Sequence, residues 1–280
     1  MHAHSHTGFP RWLAEQALVD SGARRGGGLR VLGVSGLQGS GKSTLAAQVV
    51  ALAREAGLAA AGVSLDDFYL TAEQRAALAR EVHPLLATRG PPGTHDVALG
   101  LRTFDALRAG GTPPLPRFDK LGDDRLPEAA WTRAHEALDL LLFEGWCLAV
   151  PPEAETALQV PLNALERDED PDGTWRRWCN AALAHDYPAL WARIDRLWFL
   201  QPPGFEVVYR WRREQEQALG AAEPGRPGMD DAALARFIQH YERVSRQALA
   251  TLPGRADVCV LLDGARWPLE VVTPVPPPEI

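Results

Sequence analysis

Lysine is almost absent from this chain. Of its 29 lysines and arginines only Lys42 and Lys120 are lysine, so chemistry that needs a compact ammonium rather than a guanidinium fork is confined to two places. Cysteine is scarce too: Cys147, Cys179 and Cys259 cannot form a full set of pairs and lack metal-ligand spacing, which excludes a disulfide scaffold and a zinc site. No apolar run approaches the roughly 20 residues that cross a bilayer. The amino terminus, "MHAHSHTGFPRW", has neither the basic flank nor the apolar centre of a secretory signal. Positive charge is in deficit, and a net charge of -7 counts against a nucleic-acid or membrane partner. These absences lead us to expect a reduced, cytoplasmic enzyme or binding protein. His2, His4 and His6 read as a solvated end rather than a metal site, and "TPVPPPEI" as an extended surface tail.

What is present is an ordinary globular composition, 46% hydrophobic and 23% charged, in 280 residues without an internal repeat. That length accommodates one large core, or a core with a substantial insertion. Five short apolar runs read as buried strands: residues 29 to 36, 58 to 65, 138 to 145, 194 to 201 and 257 to 264. Helical patterns separate them, the first carrying Leu45, Val49 and Leu52 on one face with Gly57 at its end. This alternation predicts a parallel sheet covered on both faces. Two connections are too long for simple crossovers. Residues 66 to 137 contain a helix opened by a capping box at Thr71 and Gln74, a second from about Asp96 to Arg108, and loops dense in proline, glycine and charge. Residues 202 to 256 begin with an arginine-rich helix, pass through "EPGRPG" and resume as a helix near Asp230. The segment "LERDEDPDG" reads as a solvated loop. We therefore divide the chain into a tail with a short helix (1 to 28), one core (29 to 273) bearing both long connections, and a proline-rich end (274 to 280).

The stretch "GLQGSGKST" places Gly36, Gly41, Lys42 and Ser43 in the pattern G-x-x-x-x-G-K-[ST] between a strand and a helix. Glycines let backbone N–H groups converge on phosphates, and the helix amino terminus adds positive potential. The expected nucleotide contacts are Gly36, Leu37, Gln38, Gly39, Ser40, Gly41, Lys42, Ser43 and Thr44. Lys42 reaches the β- and γ-phosphates, and the Ser43 hydroxyl faces Mg²⁺. A GTPase would add N-K-x-D for the guanine, but neither lysine follows an asparagine. The third strand ends in Glu144, within "LLLFEGW", where a carboxylate orients Mg²⁺ or its water. The second ends in "SLDDFYL", where a carboxylate facing the γ-phosphate accepts the proton of an attacking hydroxyl. Asp66 is the expected base and Asp67 its neighbour on Mg²⁺ or the polar network; the two roles are interchangeable at this level.

Taken together, "GLQGSGKST", "SLDDFYL", "HPLLATRGPPGTHD", "PRFDKLGDDR" and "LLLFEGW" resemble the D-glycerate 3-kinase family. Its wider relatives are the uridine kinase, pantothenate kinase and phosphoribulokinase group. The resemblance runs from about residue 30 to 146 and continues weakly through "WRREQE" to the fifth strand. It implies a three-layer α/β/α P-loop fold with five parallel strands in the order 2-3-1-4-5. It further implies ATP-dependent phosphorylation of a small hydroxyl compound. Because glycerate carries a carboxylate, the acceptor pocket is expected among Arg89, Arg117, Lys120 and Arg125, with Asp66, Tyr69 and His95 beside them. His95 is open to two readings, a bond to substrate hydroxyls or a loop staple; His83 reads as structural. In "YRWRREQEQAL", Arg210 and Arg213 share a helix face and are the expected lid arginines, hinged at "EPGRPG", while Arg212 points elsewhere. The "LLDGARWP" segment places Asp263 and Arg266 near the adenine. Two rivals stand beside this reading. One is a kinase for another alcohol, nucleoside or pantothenate, with Phe68, Tyr69, Phe118 and Trp146 as a stacking wall. The other is a non-catalytic ATP-binding regulatory module.

Overall fold

The computed structural model describes residues 8–222 and 229–274. The three amino-terminal histidines, the "EPGRPG" hinge and the end of the proline-rich tail lie outside those residues. The five expected strands are β1 (Arg30–Gly36), β2 (Ala60–Ser64), β3 (Leu140–Gly145), β4 (Arg196–Gln201) and β5 (Val258–Leu262). All five run parallel, in the order β2-β3-β1-β4-β5. A sixth strand that the sequence reading passed over, β6 (Pro268–Val272), pairs antiparallel with β5 and closes that edge. The Asp263 carboxylate makes the reversal by accepting the N–H groups of Ala265 and Trp267, at 2.8 and 2.7 Å.

The strands are apolar on both sides because both faces are covered. Along β3, Leu140 and Leu142 point to one apolar cluster, Leu141 and Phe143 to another. The first cluster is roofed by α1 (Arg11–Ser21) and α2 (Lys42–Glu55). The second is roofed by α4 (Val97–Arg108), α7 (Pro188–Trp191) and α9 (Asp231–Thr251). Between them lie α3 (Ala72–Glu81), opened by the Thr71–Gln74 capping box, α5 (Ala164–Glu169), α6 (Thr174–His185) and α8 (Val207–Ala222). The buried face of α4 is Gly100, Thr103, Phe104 and Leu107, capped at its start by Asp96.

"LERDEDPDG" is not a solvated loop. Its first half is α5, and Glu166 and Asp170 are fully buried. Burial is tolerated because each carboxylate meets a guanidinium: Arg243 at 2.6 Å from Glu166, and Arg176 at 2.9 Å from Asp170. Charge that reads as surface in the sequence is here a paired interior.

Register brings the chemistry together. Glu144 on β3 lies beside Val34 on β1 and Ser64 on β2, so the ends of all three strands open on the same point. The phosphate loop leaves β1 there, and the turn containing Asp66 and Asp67 leaves β2. Ligands bind at this end of open α/β sheets.

Candidate active site

The loop from Gly36 to Lys42 is shaped by what presses on it from behind. Gly39 has φ +78°, and a Cβ there would lie 2.6 Å from the Cβ of Trp211. Gly41 has φ +93°, and its Cβ would meet the Phe9 ring at 2.8 Å. Helix α2 begins with no side chain capping its free N–H groups, and the buried Ser40 Oγ has no partner among the described residues. An uncapped amino terminus and an orphaned hydroxyl fit an anionic ligand. Lys42 is buried and rests its Nζ on the Leu37 carbonyl at 3.0 Å. Burial lowers its pKa, opposed by the charges of Glu144 and Asp66. Ser43 donates to Glu144 at 2.8 Å. Burial raises the Glu144 pKa, against the pull of Lys42.

The loop faces a cleft of about 160 Å³ lined by Lys42, Ser43, Glu144, Asp66, Lys120 and Arg89. The Asp66 carboxylate accepts the Tyr69 hydroxyl at 2.7 Å and the Lys120 ammonium at 2.6 Å. Burial alone would raise Asp66, but Lys120 and then Tyr69 hold it at about 2. Asp66 in turn raises Lys120. Thus one lysine stands on the phosphate loop and the other on the carboxylate facing it.

Several expected residues stand elsewhere. Asp67 accepts the backbone N–H of Ser64 at 3.0 Å and the Arg117 guanidinium at 2.9 Å. Arg117 also reaches the Gly62 carbonyl at 3.4 Å, so the pair covers the free edge of β2 rather than gripping an acceptor. Arg125 is tied to Asp96 at 3.0 Å and staples the short paired strands of the insertion to the start of its helix α4. His95 is buried behind Tyr69, their rings 4.7 Å apart, with Nδ1 2.6 Å from the Tyr187 hydroxyl. Burial pushes it down to about 4. Arg210 donates to the Gly264 carbonyl, and Arg213 pairs with Asp231 at 3.4 Å. Asp263 is spent on its turn. Arg266 lies over the Trp211 ring and donates to the Gly39 carbonyl at 2.6 Å, bracing the loop from behind.

The arginine of α8 that lines the cleft is Arg212, with Gln215 one turn on and Phe237 and Tyr241 from α9. The helical phase held the clue. Val208 and Trp211 are the buried stripe of α8, and Arg212 and Gln215 continue it at i+4 and i+7 from Val208. The face of Arg210 and Arg213 is the outward one.

A strand, glycine loop and helix at the centre of a parallel sheet, with a carboxylate ending the adjacent strand β3 and another in the turn after β2 beyond it, define a P-loop phosphotransferase. No family model matches the chain. The "Uncharacterized kinase mug58" of Schizosaccharomyces pombe is 34% identical over 253 residues, 85% of this chain and 90% of that protein. The chloroplastic D-glycerate 3-kinase of Arabidopsis thaliana is 32% identical over 237 residues, 79% of this chain but only 48% of the plant protein. The solved D-glycerate 3-kinase of Cryptococcus neoformans var. grubii shares the fold, with a TM-score of 0.73 and 24% identity over 94% of this chain and 97% of that one. The chain belongs to the family of P-loop kinases that includes D-glycerate 3-kinase. No helix among the described residues is long and apolar enough to cross a membrane.

Proposed function

We propose that this kinase transfers the terminal phosphoryl group of ATP to the primary hydroxyl of D-glycerate, giving 3-phosphoglycerate. The observation that carries the reading is the convergence of Lys120, Arg89 and Arg212 with Asp66 and the phosphate loop around one small cleft. Three cations beyond the loop lysine favour an acceptor that brings its own negative charge. The relatives named for D-glycerate point the same way.

The phosphate chain of ATP would lie on residues 36 to 44, with Lys42 turning from the Leu37 carbonyl to the γ-phosphate. Ser43 and Glu144, already 2.8 Å apart, form a hydroxyl and carboxylate pair suited to Mg²⁺ or its water. Among the described residues no group of three or more His, Cys, Asp or Glu could hold a metal alone. Mg²⁺ would therefore complete its shell with phosphate oxygens and water, as it commonly does. Asp67, committed to Ser64 and Arg117, is left out of that set. Asp66 takes the proton of the attacking hydroxyl, Arg89 and Lys120 receive the carboxylate, and Arg212 faces the charge that spreads over the transferring group. Residues 66 to 137 thus supply the acceptor side, and 202 to 256 the lid.

A nucleoside acceptor fits less well. Phe68 is packed in the core against Phe104 and Phe143, and Phe118 is covered by Tyr69. Trp146 lies against Tyr241, their rings 5.0 Å apart and nearly perpendicular. The aromatic groups here pack on one another instead of opening a flat face. The test is ADP release with a panel of hydroxy acids, nucleosides and pantothenate, with the product's position read by ³¹P NMR. Turnover confined to D-glycerate, with phosphorus on its third carbon, is expected. A preference for a nucleoside or pantothenate overturns the reading, and nucleotide binding without any acceptor-dependent turnover favours a regulatory module.

A further inference from the structure

Both oxygens of the proposed base are occupied. Oδ1 of Asp66 accepts the Tyr69 hydroxyl at 2.7 Å, and Oδ2 accepts the Lys120 ammonium at 2.6 Å. Each oxygen keeps a second lone pair, but a hydroxyl in line with the γ-phosphorus must share the carboxylate with a charged donor at 2.6 Å that neutralises it. Tyr69 is fixed: it is 3% exposed and wedged between His95 and Phe118. Lys120 is free to leave. Its side chain is 60% exposed, against 24% for Asp66, and it sits in the turn between the short paired strands Phe118–Asp119 and Asp124–Arg125.

We propose that Lys120 is a plug on the base, lifted only by an acceptor that carries a carboxylate, so that the anionic end of the acceptor frees Asp66 for its hydroxyl end. The proposal rests on Asp66 being the base and the acceptor a hydroxy acid. Arg89 stands ready as the second hand on that carboxylate. It donates to the Lys120 carbonyl at 3.2 Å and pairs with Asp123 in the same turn, so a carboxylate entering beside Lys120 meets both cations. The charge of Lys120, working against burial, is what holds Asp66 at about 2, so moving it away also restores basicity.

The plug explains why this position is lysine in a chain whose other cations, Lys42 apart, are all arginine. An arginine fork holds a carboxylate bidentately in one plane. An ammonium on a flexible stem with three rotatable donors passes between two carboxylates without first breaking a fork. With the plug lifted, the acceptor oxygen forms its bond to the γ-phosphorus as the bond to the β,γ-bridging oxygen breaks. The hydroxyl proton passes to Oδ2 of Asp66, and ADP leaves. Water and neutral alcohols bring no carboxylate, leave Lys120 in place and are poor acceptors.

The experiment compares the wild-type protein with Lys120→Met and Lys120→Arg. ADP release is measured without acceptor, with glycerol and with D-glycerate, and ATP binding checks that each variant is folded. In Lys120→Met, acceptor-free ADP release rises about tenfold and the preference for D-glycerate over glycerol in kcat/KM falls by roughly 10². Adding Asp66→Asn to that variant returns acceptor-free release to the wild-type level or below. Lys120→Arg keeps the KM for D-glycerate within about threefold but lowers kcat, because the fork stays on the base. If Lys120→Met raises only the KM for D-glycerate, with acceptor-free release unchanged, Lys120 merely holds the carboxylate and the plug is overturned. The acceptor-free comparison needs no glycerate, so a wild-type protein that ignores D-glycerate sinks the acceptor reading separately from the plug.

Discussion

Asp66 and Asp67 are adjacent in the chain, yet their carboxylates share no hydrogen-bond partner. Asp66 lies in the cleft on Lys120 and Tyr69, while Asp67 is held by Arg117 at 2.9 Å and the Ser64 N–H at 3.0 Å. Arg117→Ala therefore removes a brace of the β2 edge and leaves a largely buried carboxylate short of a partner. The Arg117 side chain is about one-third exposed, so we expect a loss of about 1–2 kcal/mol and a melting point lower by about 2–4 °C. The acceptor KM should change by less than about twofold. A tenfold rise in KM with an unchanged melting point would return Arg117 to the acceptor pocket.

Asp66→Asn keeps the shape of the side chain and the bond from Tyr69 but removes the proton acceptor. Turnover should fall by roughly 10²-fold or more with the KM for ATP nearly unchanged. Steady-state kinetics with ATP and D-glycerate varied in turn give both numbers. Equal losses in turnover and ATP affinity would mean that Asp66 orders the nucleotide instead.

The same aspartate makes a prediction about acid. Its pKa in the folded chain is lowered from the ordinary 3.8 to about 2, so its share of stability is present above pH 4 and is lost as pH falls through 2. That share is about 2 kcal/mol. Urea midpoints of wild type and Asp66→Asn measured from pH 6 to pH 2 should differ at the upper end and converge at the lower. A gap that stays constant across the series would show that Lys120 does not hold the carboxylate in solution.

Much of this site was legible because its geometry follows from strand order. A phosphate loop after β1, a carboxylate after β2 and another ending β3 must meet once the three strands are neighbours, and apolar runs reveal those strands. Pairing among charged side chains was not legible in the same way. "PRFDK" shows Arg117 and Lys120 three residues apart, yet one faces the sheet edge and the other the cleft, because the two-residue strand Phe118–Asp119 separates them and Lys120 opens the turn that follows. The buried Glu166 and Asp170 look solvated in sequence, since their guanidinium partners Arg243 and Arg176 lie 77 and 6 residues away. Strand β6 is short and carries exposed residues, so it lacks the apolar signature of its neighbours.

Glu144→Gln tests the proposed metal pair. The amide still accepts the Ser43 hydroxyl but no longer offers a charged oxygen to Mg²⁺ or its water. Half-saturating Mg²⁺ for ADP release should rise about tenfold or more, with much of the activity recovered at high Mg²⁺. An unchanged Mg²⁺ curve with lower turnover would place Glu144 outside the metal's surroundings.

The last prediction sets neighbouring arginines of one helix against each other. Arg212 lines the cleft and is held by Gln215 at 2.7 Å and Glu216 at 2.9 Å, its guanidinium over the Phe237 ring. Its Nε is buried with no partner among the described residues, as expected of a side chain with a ligand still to meet. Arg213, one residue on, is half exposed and pairs with Asp231 across solvent. If charge spreading over the transferring phosphoryl group is met by α8, Arg212→Ala should lower kcat by roughly 10–10²-fold, while Arg213→Ala changes it by less than about twofold. Lysine at 212 should recover only part of the loss, since it restores charge without the fork. Comparable effects at both positions would erase the distinction between the two faces of α8, and Arg212 would hold no special place at the transferring group.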